Sequence, residues 1–402
     1  MATAEWKSAK LDELGFVGRG KSRHRPRNDA ILYGGRYPFF QTGDIKAANF
    51  YLTEFTQTYS DAGLAQSKLW QPGTLCITIA ANIAESAVLG IEGCFPDSVV
   101  GFIPDQEKAD VRFVKYYMEI LKLQMQSVSR GTTQDNMSLD KLLTFDFRVP
   151  PLPEQRRIAG ILSAYDELME NSQRRIRILE TMARALYREW FVHFRFPGHE
   201  AVPRVASHLG PIPLGWEVKK LGDIAEDMRR NVQKGELEEP KPYVGLEHIP
   251  RRSLALDAWD TATELGSNKL EFKKGEVLFG KIRPYFHKVS VAPFDGLCSA
   301  DTIVIRSRRP EHYALVVACV SSDAFVAEAS ATANGAKMPR ANWDVLEKFP
   351  VVIPKGNVAE KFSDLFAEIL AQQQALIFQI QNLRQTRDLL LPRLLSGQVT
   401  LS

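Results

Sequence analysis

The chain has 402 residues, of which 45% are hydrophobic and 25% are charged, and its formal net charge is +3. These values are typical of a folded protein with two or three domains and argue against a disordered chain. The small net charge does not by itself indicate a nucleic-acid-binding protein, whose usual footprint is a local basic patch. No apolar run approaches the roughly 18 residues of a membrane helix, and the amino terminus lacks a signal-peptide pattern, so we expect a cytoplasmic protein.

The first globular segment is predicted over residues 1–153. It contains a basic stretch from Gly18 to Asp29, in which Pro26 disfavours regular structure and favours a loop. Strand-like runs follow at YPFFQTGDI and GTLCITIA, because Phe, Tyr, Ile and Thr favour extended backbone. Residues 111–129 have the apolar spacing of a helix, and the polar loop GTTQDNMS comes after them.

A long amphipathic helix is predicted over residues 154–194. Its apolar seam advances in alternating steps of three and four residues, as in a coiled coil, and one additional four-residue step near Ser172 indicates a stutter. The seam residues are Ile158, Ile161, Tyr165, Leu168, Ser172, Ile176, Leu179, Ala183, Leu186 and Trp190. Residues 195–211 contain clustered Pro and Gly and are predicted to form a linker.

The second half of the chain has the same plan, with a globular segment over residues 212–354 and a helix with a tail over residues 355–402. The helix is predicted at 358–395 and carries a narrow apolar stripe, which suits one partner helix. Its two sets of seam positions are Phe362, Ile369, Leu376, Leu383 and Leu390, and Leu365, Gln372, Gln379 and Thr386.

An internal repeat relates the two halves. Cys298 follows Cys94 by 204 residues and Pro354 follows Pro150 by the same interval, while GWEVKKLGDI follows EWKSAKLDEL by 210. Each long helix is too narrowly apolar to be stable alone, so we expect the two helices to pack on each other antiparallel. The predicted fold is therefore α+β: two mixed domains separated by an antiparallel two-helix coiled coil and related by a pseudo-twofold axis.

The four cysteines show neither the paired spacing of a metal site nor the density of a disulfide scaffold. They are Cys76, Cys94, Cys298 and Cys319. We expect buried free thiols and no metal.

One motif points to a nucleotide site. GFVGRGKS, from Gly15 to Ser22, fits the phosphate-loop pattern, and FVGRG within it is similar to a motif of adenine methyltransferases. Both motifs need a buried strand before them and a helix after them. The preceding KSAKLDEL is not a buried strand, and Pro26 with its charged neighbours disfavours a helix, so we do not favour this interpretation.

Basic and polar loops supply the candidates for DNA binding, with a solvated surface loop or a structural strand as the alternative. Arg and Lys suit phosphates, whereas amides, hydroxyls and guanidinium groups suit base edges, and a Tyr among them can stack. The phosphate candidates are Lys21, Arg23, Arg25 and Arg27. The candidates for base readout are Gln41, Thr42, Thr133, Gln134 and Asn136 in the first half, and Lys281, Arg283, Lys337 and Arg340, with Tyr285 beside them, in the second.

Three strings make the whole chain resemble the specificity subunit of type I restriction-modification systems. They are PLPEQRRIAGILSAYDELMENSQRRIRILETMARALYREWF, LGPIPLGWEVKKLGDI and LRQTRDLLLPRLLSGQVTL. YPFFQTGDI, GTTQDNMS and GAKMPRANW are also similar to segments of its target-recognition domains. The second long helix begins at IPKGNVAEKF, where the PLPEQ of the first helix has no counterpart.

The resemblance implies a non-catalytic subunit with two target-recognition domains, each reading one half of a bipartite site in double-stranded DNA. The helices would set the gap between the half-sites and dock two modification subunits, and restriction subunits would join the full complex. S-adenosylmethionine, ATP and Mg would then be bound by the partner subunits, with no cofactor in this chain. A phosphate-loop enzyme based on GFVGRGKS and a coiled-coil protein scaffold are the alternatives.

Overall fold

The computed structural model describes residues 6–130 and 136–399 of the chain, without the side chains of residues 128–130. The chain divides into two compact units, unit 1 (Met1–Glu170 with Asn382–Ser402) and unit 2 (Asn171–Gln381). Each unit combines helices and strands, which confirms the predicted α+β class. The division falls inside both long helices, and the domain boundaries drawn from the sequence stay a prediction.

Unit 1 is built on a five-stranded sheet. Its strands, in spatial order, are Gly15–Arg19, Val99–Pro104, Leu75–Thr78, Ser86–Leu89 and Tyr51–Leu52. All neighbours are antiparallel except the last pair, which is parallel. Two further pairs join Tyr33–Phe39 to Gln57–Tyr59 and Lys7–Ala9 to Phe147–Val149.

The helices of unit 1 lie outside this sheet. Apart from the long helices, they are Leu11–Leu14, Thr42–Ala47, Asp61–Ala65, Val111–Arg130 and Leu139–Leu142, with a 3₁₀ turn at Ala30–Leu32. Val111–Arg130 buries Phe113, Val114 and Met118 against the sheet, and this packing forms the main core of the unit. The strand predicted over YPFFQTGDI is wrong in its second half, because the Gln41 N–H donates to Asp44 Oδ2 at 2.7 Å and caps a helix that begins at Thr42.

Unit 2 contains a four-stranded antiparallel sheet with the same strand order. Its strands are Ala225–Asp227, Thr302–Ser307, Val277–Gly280 and Val289–Val291. A five-stranded sheet follows the order Asn231–Val232, Lys269–Phe272, Gly296–Ser299, Gly235–Val244 and Asp260–Leu265. Two further pairs join Glu217–Lys220 to Pro350–Ile353 and Arg204–Val205 to Ile212–Pro213.

The shorter helices of unit 2 include a consecutive pair that is bent by 64° at a short break. The α-helices are Leu221–Ile224, Tyr313–Val320, Asp323–Ala331 and Trp343–Leu346, and the 3₁₀ turns are His199–Ala201, Pro284–Phe286 and Pro310–His312. Among the described residues, no single helix is long and apolar enough to cross a membrane. Among those residues, one bent pair of helices, Pro310–Val320 and Asp323–Ala331, is together long and apolar enough by length and composition alone. The side chains of this pair from Ala314 to Val320 are buried in the protein.

The matching strand order confirms the internal repeat. Lys7 pairs with Val149 in unit 1, and Glu217, 210 residues after Lys7, pairs with Ile353 in unit 2. Leu75–Thr78 in unit 1 likewise corresponds to Val277–Gly280 in unit 2, each lying third in its sheet.

The first long helix spans Leu152–Tyr187 and continues as a π-helical turn at Arg188–Val192, and the second spans Asn357–Leu395. In unit 2, the ring of Phe191 lies 4.7 Å from that of Phe362, while Gln173 and Gln381 both donate to Asp257. Phe191, at the end of the first helix, thus meets Phe362, early in the second. Within unit 1, Asp166 of the first helix likewise pairs with Arg387, late in the second. This arrangement confirms the predicted antiparallel packing, while the pseudo-twofold axis stays a prediction.

The buried seam of each helix differs from the predicted one. Leu168 is 48% exposed and Met169 8%, and Leu365 is 47% exposed and Phe366 1%. In the first helix, one set of buried positions recurs every seven residues: Gln155, Leu162, Met169, Ile176, Ala183 and Trp190. The predicted stutter near Ser172 is therefore wrong. In the second helix, Phe362, Ile369 and Leu376 are buried as predicted, but the intervening positions are one residue later: Phe366, Gln373 and Ile380.

All four cysteines are free and buried, as predicted. Burial raises the pKa of the Cys76 thiol beyond its usual range, raises that of Cys94 to about 11 and raises those of Cys298 and Cys319 to about 12. The thiols are therefore neutral packing groups near pH 7.

Candidate nucleic-acid interface

In both units, a hairpin loop lies at the same end of the strands in the main sheet, which is the five-stranded sheet of unit 1 and the four-stranded sheet of unit 2. This end of the strands is called the edge of the sheet below. Hairpin loop 1 (residues 79–85) joins Leu75–Thr78 to Ser86–Leu89, and hairpin loop 2 (residues 281–288) joins Val277–Gly280 to Val289–Val291. The neighbouring strand also begins at this edge, so the Ile79 N–H donates to Ser98 O at 2.9 Å and the Lys281 N–H to Asp301 O at 2.8 Å.

Each hairpin loop holds two non-glycine residues in the left-handed region. Ala81 and Ala84 both have a φ of 62°, and Arg283 and His287 have φ of 50° and 53°. Such residues cost roughly 1–3 kcal/mol each, persist only where the surrounding structure enforces them, and concentrate at functional sites. The two loops therefore share this strained backbone but differ in their side chains, since Ala81 in one loop corresponds to Arg283 in the other.

Hairpin loop 1 is held from behind by the helix Val111–Arg130. Lys122 Nζ lies 2.7 Å from Glu85 Oε2, and Gln126 Nε2 donates to Ile83 O at 3.1 Å. The buried Thr78 hydroxyl lies within hydrogen-bonding distance of Asn82 O and accepts from the Glu85 N–H at 3.0 Å. These contacts fix the loop and leave Asn82 half-buried at its tip, beside the exposed Ala81.

Hairpin loop 2 has its own anchors. His287 is buried, and its Nε2–H donates to Ser321 O at 2.9 Å. The Phe286 N–H closes the loop by donating to Arg283 O at 2.9 Å. The guanidinium of Arg251 lies 4.1 Å from the ring of Phe286, and Lys288 Nζ donates to Leu246 O. Burial lowers the pKa of Lys288, and the positive charge of Arg251 lowers it further by a smaller amount.

A second loop lies beside each hairpin loop in the same register. Asn136 forms an isolated antiparallel bridge with Ala80, and Arg340, 204 residues after Asn136, forms the same bridge with Ile282. The Met137 N–H donates to Ile79 O at 2.8 Å, and the Ala341 N–H donates to Lys281 O at 3.0 Å. The sequence predicted that these loops correspond, but it gave no sign of their pairing with the hairpin loops.

The structure brings together most of the residues proposed for unit 2. Lys281 Nζ donates to Ala300 O at 3.1 Å, and Arg340 Nε lies 3.3 Å from Asp301 Oδ1. Tyr285 is 56% exposed, and Lys337 is exposed in a loop closed by backbone hydrogen bonds between Asn334 and Arg340. All of these groups lie on the two loops joined by the bridge of Ile282.

Two features at this edge of unit 2 are suited to an acceptor group. Arg283 Nε is buried and has no hydrogen-bond partner among the described residues, so a ligand oxygen or nitrogen would satisfy it. A cavity of about 320 Å³ also opens beside Lys281, and Arg229, Asn231, Ala341 and Asn342 contribute to its wall. Arg229 lies 2.8 Å from Asp227 and was missed in the sequence, where nothing separates it from other surface arginines.

The basic stretch of unit 1 begins at the same edge. The Gly20 N–H donates to Val99 O at 2.9 Å, and Arg27 Nη2 lies 2.9 Å from Asp97 Oδ2. The Arg25 guanidinium donates to Ser22 O at 2.7 Å and to His24 O at 2.8 Å, so it is used within its own loop. Among the described residues, the side chains of Lys21 and Arg23 form no ion pair or hydrogen bond.

The phosphate-loop interpretation does not fit this geometry. Gly15–Arg19 is itself a strand, paired with Val99–Pro104, rather than a loop between a strand and a helix. The next helical residues are a short 3₁₀ turn at Ala30–Leu32. Backbone amides therefore do not converge at a helix amino terminus, as a phosphate cradle requires.

The remaining candidates of unit 1 fall into three groups. Gln41 and Thr42 are half-buried at the start of the helix Thr42–Ala47, and Gln41 Nε2 donates to Gln57 Oε1 at 2.7 Å. Asn136 is exposed, whereas Thr133 and Gln134 lie outside the described residues.

Asn82 is a candidate that sequence reasoning missed. Lys46, on the helix Thr42–Ala47, lies 3.4 Å from Asn82 Oδ1. The repeat interval would have placed Asn82 near Arg283. The alanines beside Asn82, however, gave no sign in the sequence that this loop is strained.

Among the described residues, no group of three or more His, Cys, Asp or Glu side chains is arranged to hold a metal ion. The groups at this edge are cations, amides and one exposed phenol. They lie on the hairpin loop and the second loop, which occupy equivalent positions in the two units. These groups suit hydrogen bonding to phosphates and base edges.

Comparisons with known proteins agree with this interpretation. Residues 3–181 match the family model described as the type I restriction modification DNA specificity domain. The chain is 24% identical to the type I restriction enzyme MjaIX specificity subunit of Methanocaldococcus jannaschii, over 98% of this chain and 94% of the relative. It is 22% identical to the type I restriction enzyme EcoDI specificity subunit of Escherichia coli, over 98% and 89%. The fold is similar to the crystal structure of the type I restriction-modification system S subunit from M. genitalium, with a TM-score of 0.62, 15% identity and coverage of 98% and 97%.

Proposed function

We propose, from the similarity of nearly the whole chain to type I restriction-modification specificity subunits, that it is such a subunit and recognises a bipartite site in double-stranded DNA, one half-site per unit. The observation that carries the proposal is the repeated sheet edge, where a strained hairpin loop and a bridged second loop occur once in each unit. Two copies of one scaffold with different side chains suit two half-sites of different sequence.

The charges at the two edges support DNA as the ligand. Lys281, Arg283 and Arg340 lie on the paired loops of unit 2, and Lys21 and Arg23 extend from the basic stretch of unit 1. Cations of this kind neutralise phosphates, and a guanidinium reads base edges. We assign Arg283, Arg340 and Asn136 to bases and Lys21 and Arg23 to phosphates. Arg25 and Arg27 hold the loop, since Arg25 donates to two backbone carbonyls of its own loop and Arg27 pairs with Asp97. Arg340 contacts Asp301 through Nε, and its assignment to bases uses its other two nitrogens.

The long helices serve as the spacer in this proposal. Their antiparallel packing keeps the gap between the half-sites constant, and their exposed faces dock two modification subunits. Restriction subunits then complete the assembly. This chain has no catalytic role, and S-adenosylmethionine, ATP and Mg belong to the partners. The phosphate-loop enzyme is not supported, because Gly15–Arg19 is a strand, and a scaffold without DNA recognition does not account for the repeated edge.

Mapping methylated adenines tests the proposal. The chain is expressed with its cognate modification subunits, and the genome of those cells is sequenced for methylated bases. We expect one recognition sequence with two specified parts around an unspecified gap of fixed length. A single continuous sequence, or methylation without sequence preference, would contradict the proposal.

A further inference from the structure

Hairpin loop 1 presents a single polar side chain at its tip. Ala80, Ala81 and Ala84 have no hydrogen-bonding groups, and Ile83 is buried in the core of unit 1. Glu85 is turned back toward Lys122, with 2.7 Å between Oε2 and Nζ. Asn82 is therefore the only residue of this loop whose side chain offers donors and acceptors to a ligand.

The equivalent loop in unit 2 has a different chemistry on the same backbone. Both loops contain two left-handed residues, and both form an isolated bridge with the second loop of their unit, at Asn136 in unit 1 and at Arg340 in unit 2. Hairpin loop 2 offers Arg283 and Lys281, which are cations, whereas hairpin loop 1 offers one neutral amide. If each loop contacts bases, the two loops must select different ones.

Resting on the proposed function, we propose that Asn82 is a specificity-determining residue that reads an adenine in the half-site bound by unit 1. An Asn amide forms two hydrogen bonds with the major-groove edge of adenine, because Oδ1 accepts from N6–H and Nδ2–H donates to N7. No other base presents that pairing of donor and acceptor in this groove.

The surroundings of Asn82 favour this geometry. Lys46 Nζ lies 3.4 Å from Asn82 Oδ1, which orients the amide and leaves the second lone pair of Oδ1 for adenine N6–H. The Asn82 backbone is fixed by Thr78, through the contact of its hydroxyl with Asn82 O. Gln126 and Lys122 support the loop from the side of the helix. A rigid backbone lowers the entropy lost when the amide binds a base.

The test uses the complex of this chain with its modification subunits and a panel of duplexes. The panel carries every single base-pair substitution in the recognition sequence found by methylation mapping, and affinities are measured by fluorescence anisotropy at fixed salt. For N82A, we expect discrimination at one A·T position to fall by about 5- to 150-fold, the range of one bidentate contact. N82D should lose the same preference, because a carboxylate cannot donate to N7.

Two variants control the measurement. Gln71→Ala removes an exposed amide before the strand that starts at Leu75, at the opposite edge of the same sheet, and should leave every preference unchanged. Arg283→Ala should alter positions in one half-site, and the position that responds to N82A should lie in the other.

The outcomes separate the inference from the proposed function. An unchanged profile in N82A, an equal loss on every duplex, or a response in the half-site affected by Arg283→Ala would overturn the role of Asn82. Such results would leave a bipartite site in place. If the wild-type complex showed no bipartite preference, the proposed function itself would fail.

Discussion

Asp166 accepts a hydrogen bond from Arg387, with 2.5 Å between Oδ1 and Nη1, although 221 residues separate them in the chain. The second oxygen of the same carboxylate accepts from the Tyr116 hydroxyl, also at 2.5 Å. Burial and then the charge of Asp166 raise the pKa of Tyr116 far above its usual range, so the phenol remains a donor. One carboxylate thus links both long helices to the domain helix Val111–Arg130 in unit 1.

Replacing Asp166 with Asn should destabilise the protein. The amide keeps one acceptor but loses the charge opposite Arg387, so Asp388 would be the one carboxylate left beside the half-buried guanidinium among the described residues. We expect the free energy of unfolding to fall by about 1–3 kcal/mol. Urea unfolding followed by circular dichroism measures the change. Glu167→Gln, at the exposed neighbouring position, is the matched control. Equal stability of both variants would show that the Asp166 contacts contribute little.

The helix pair shows what the sequence could and could not predict. The lengths and the antiparallel order followed from the pattern, and so did the seven-residue period of the second helix. The seam position did not, because apolar residues occupy adjacent positions, as in Leu168 and Met169 or Leu365 and Phe366. Sequence spacing alone cannot choose between such neighbours. Packing decides, and it leaves the first of each pair about half exposed.

The candidate site was predictable to a similar extent. The repeat interval linked the loop of Asn136 to that of Arg340, and the cation-rich loop around Arg283 was visible in the sequence. The pairing of Asn136 with Ala80 depends on tertiary structure, and so does the left-handed backbone of Ala81. Alanine has no special preference for that conformation, so the sequence did not indicate a strained loop there and Asn82 was not proposed as a site residue.

The cysteines should be unreactive in the folded protein. Burial raises the pKa of the Cys94 thiol to about 11 and that of Cys319 to about 12, so little thiolate exists at pH 8, and all four side chains are shielded from reagent. We expect no labelling by iodoacetamide at pH 8 and labelling of all four thiols in urea, as counted by mass spectrometry. Rapid labelling of any cysteine in the native protein would contradict its buried position.

Acid should lower the free energy of unfolding of unit 2, because His287 becomes protonated. Burial lowers the pKa of His287 below its ordinary value of 6.5, against the opposing effects of Ser321 O and of Asp323, whose Oδ1 is 3.5 Å from His287 Nδ1. Arg252 adds to the lowering. The unfolded chain then binds more protons than the folded one just below pH 6.5, so the free energy of unfolding falls as the pH drops through that value.

His287→Asn tests this effect, because Asn tolerates a positive φ and does not titrate in this range. We expect a flatter dependence of the unfolding free energy between pH 7 and pH 5 than in the wild type. His312→Gln, at the other histidine of unit 2 whose pKa burial lowers, is the reference and should flatten the curve by its own contribution alone. A slope unchanged by His287→Asn would mean that other groups cause the acid sensitivity.

The basic stretch of unit 1 should divide into residues that bind phosphate and residues that shape the loop. Lys21 and Arg23 have no side-chain partner among the described residues, whereas Asp97 already holds Arg27 at 2.9 Å. Each phosphate contact contributes about 0.9 to the slope of log affinity against log salt. The double variant Lys21→Ala, Arg23→Ala should therefore weaken binding to all duplexes alike and reduce the slope by about 1–2. Arg27→Ala removes the same charge as one of these changes but should reduce the slope by less, because its guanidinium must leave Asp97 to meet a phosphate. Titrations of the assembled complex from 50 to 200 mM salt measure both slopes, and an equal reduction per charge removed would show that the ion pair with Asp97 does not withhold Arg27 from DNA.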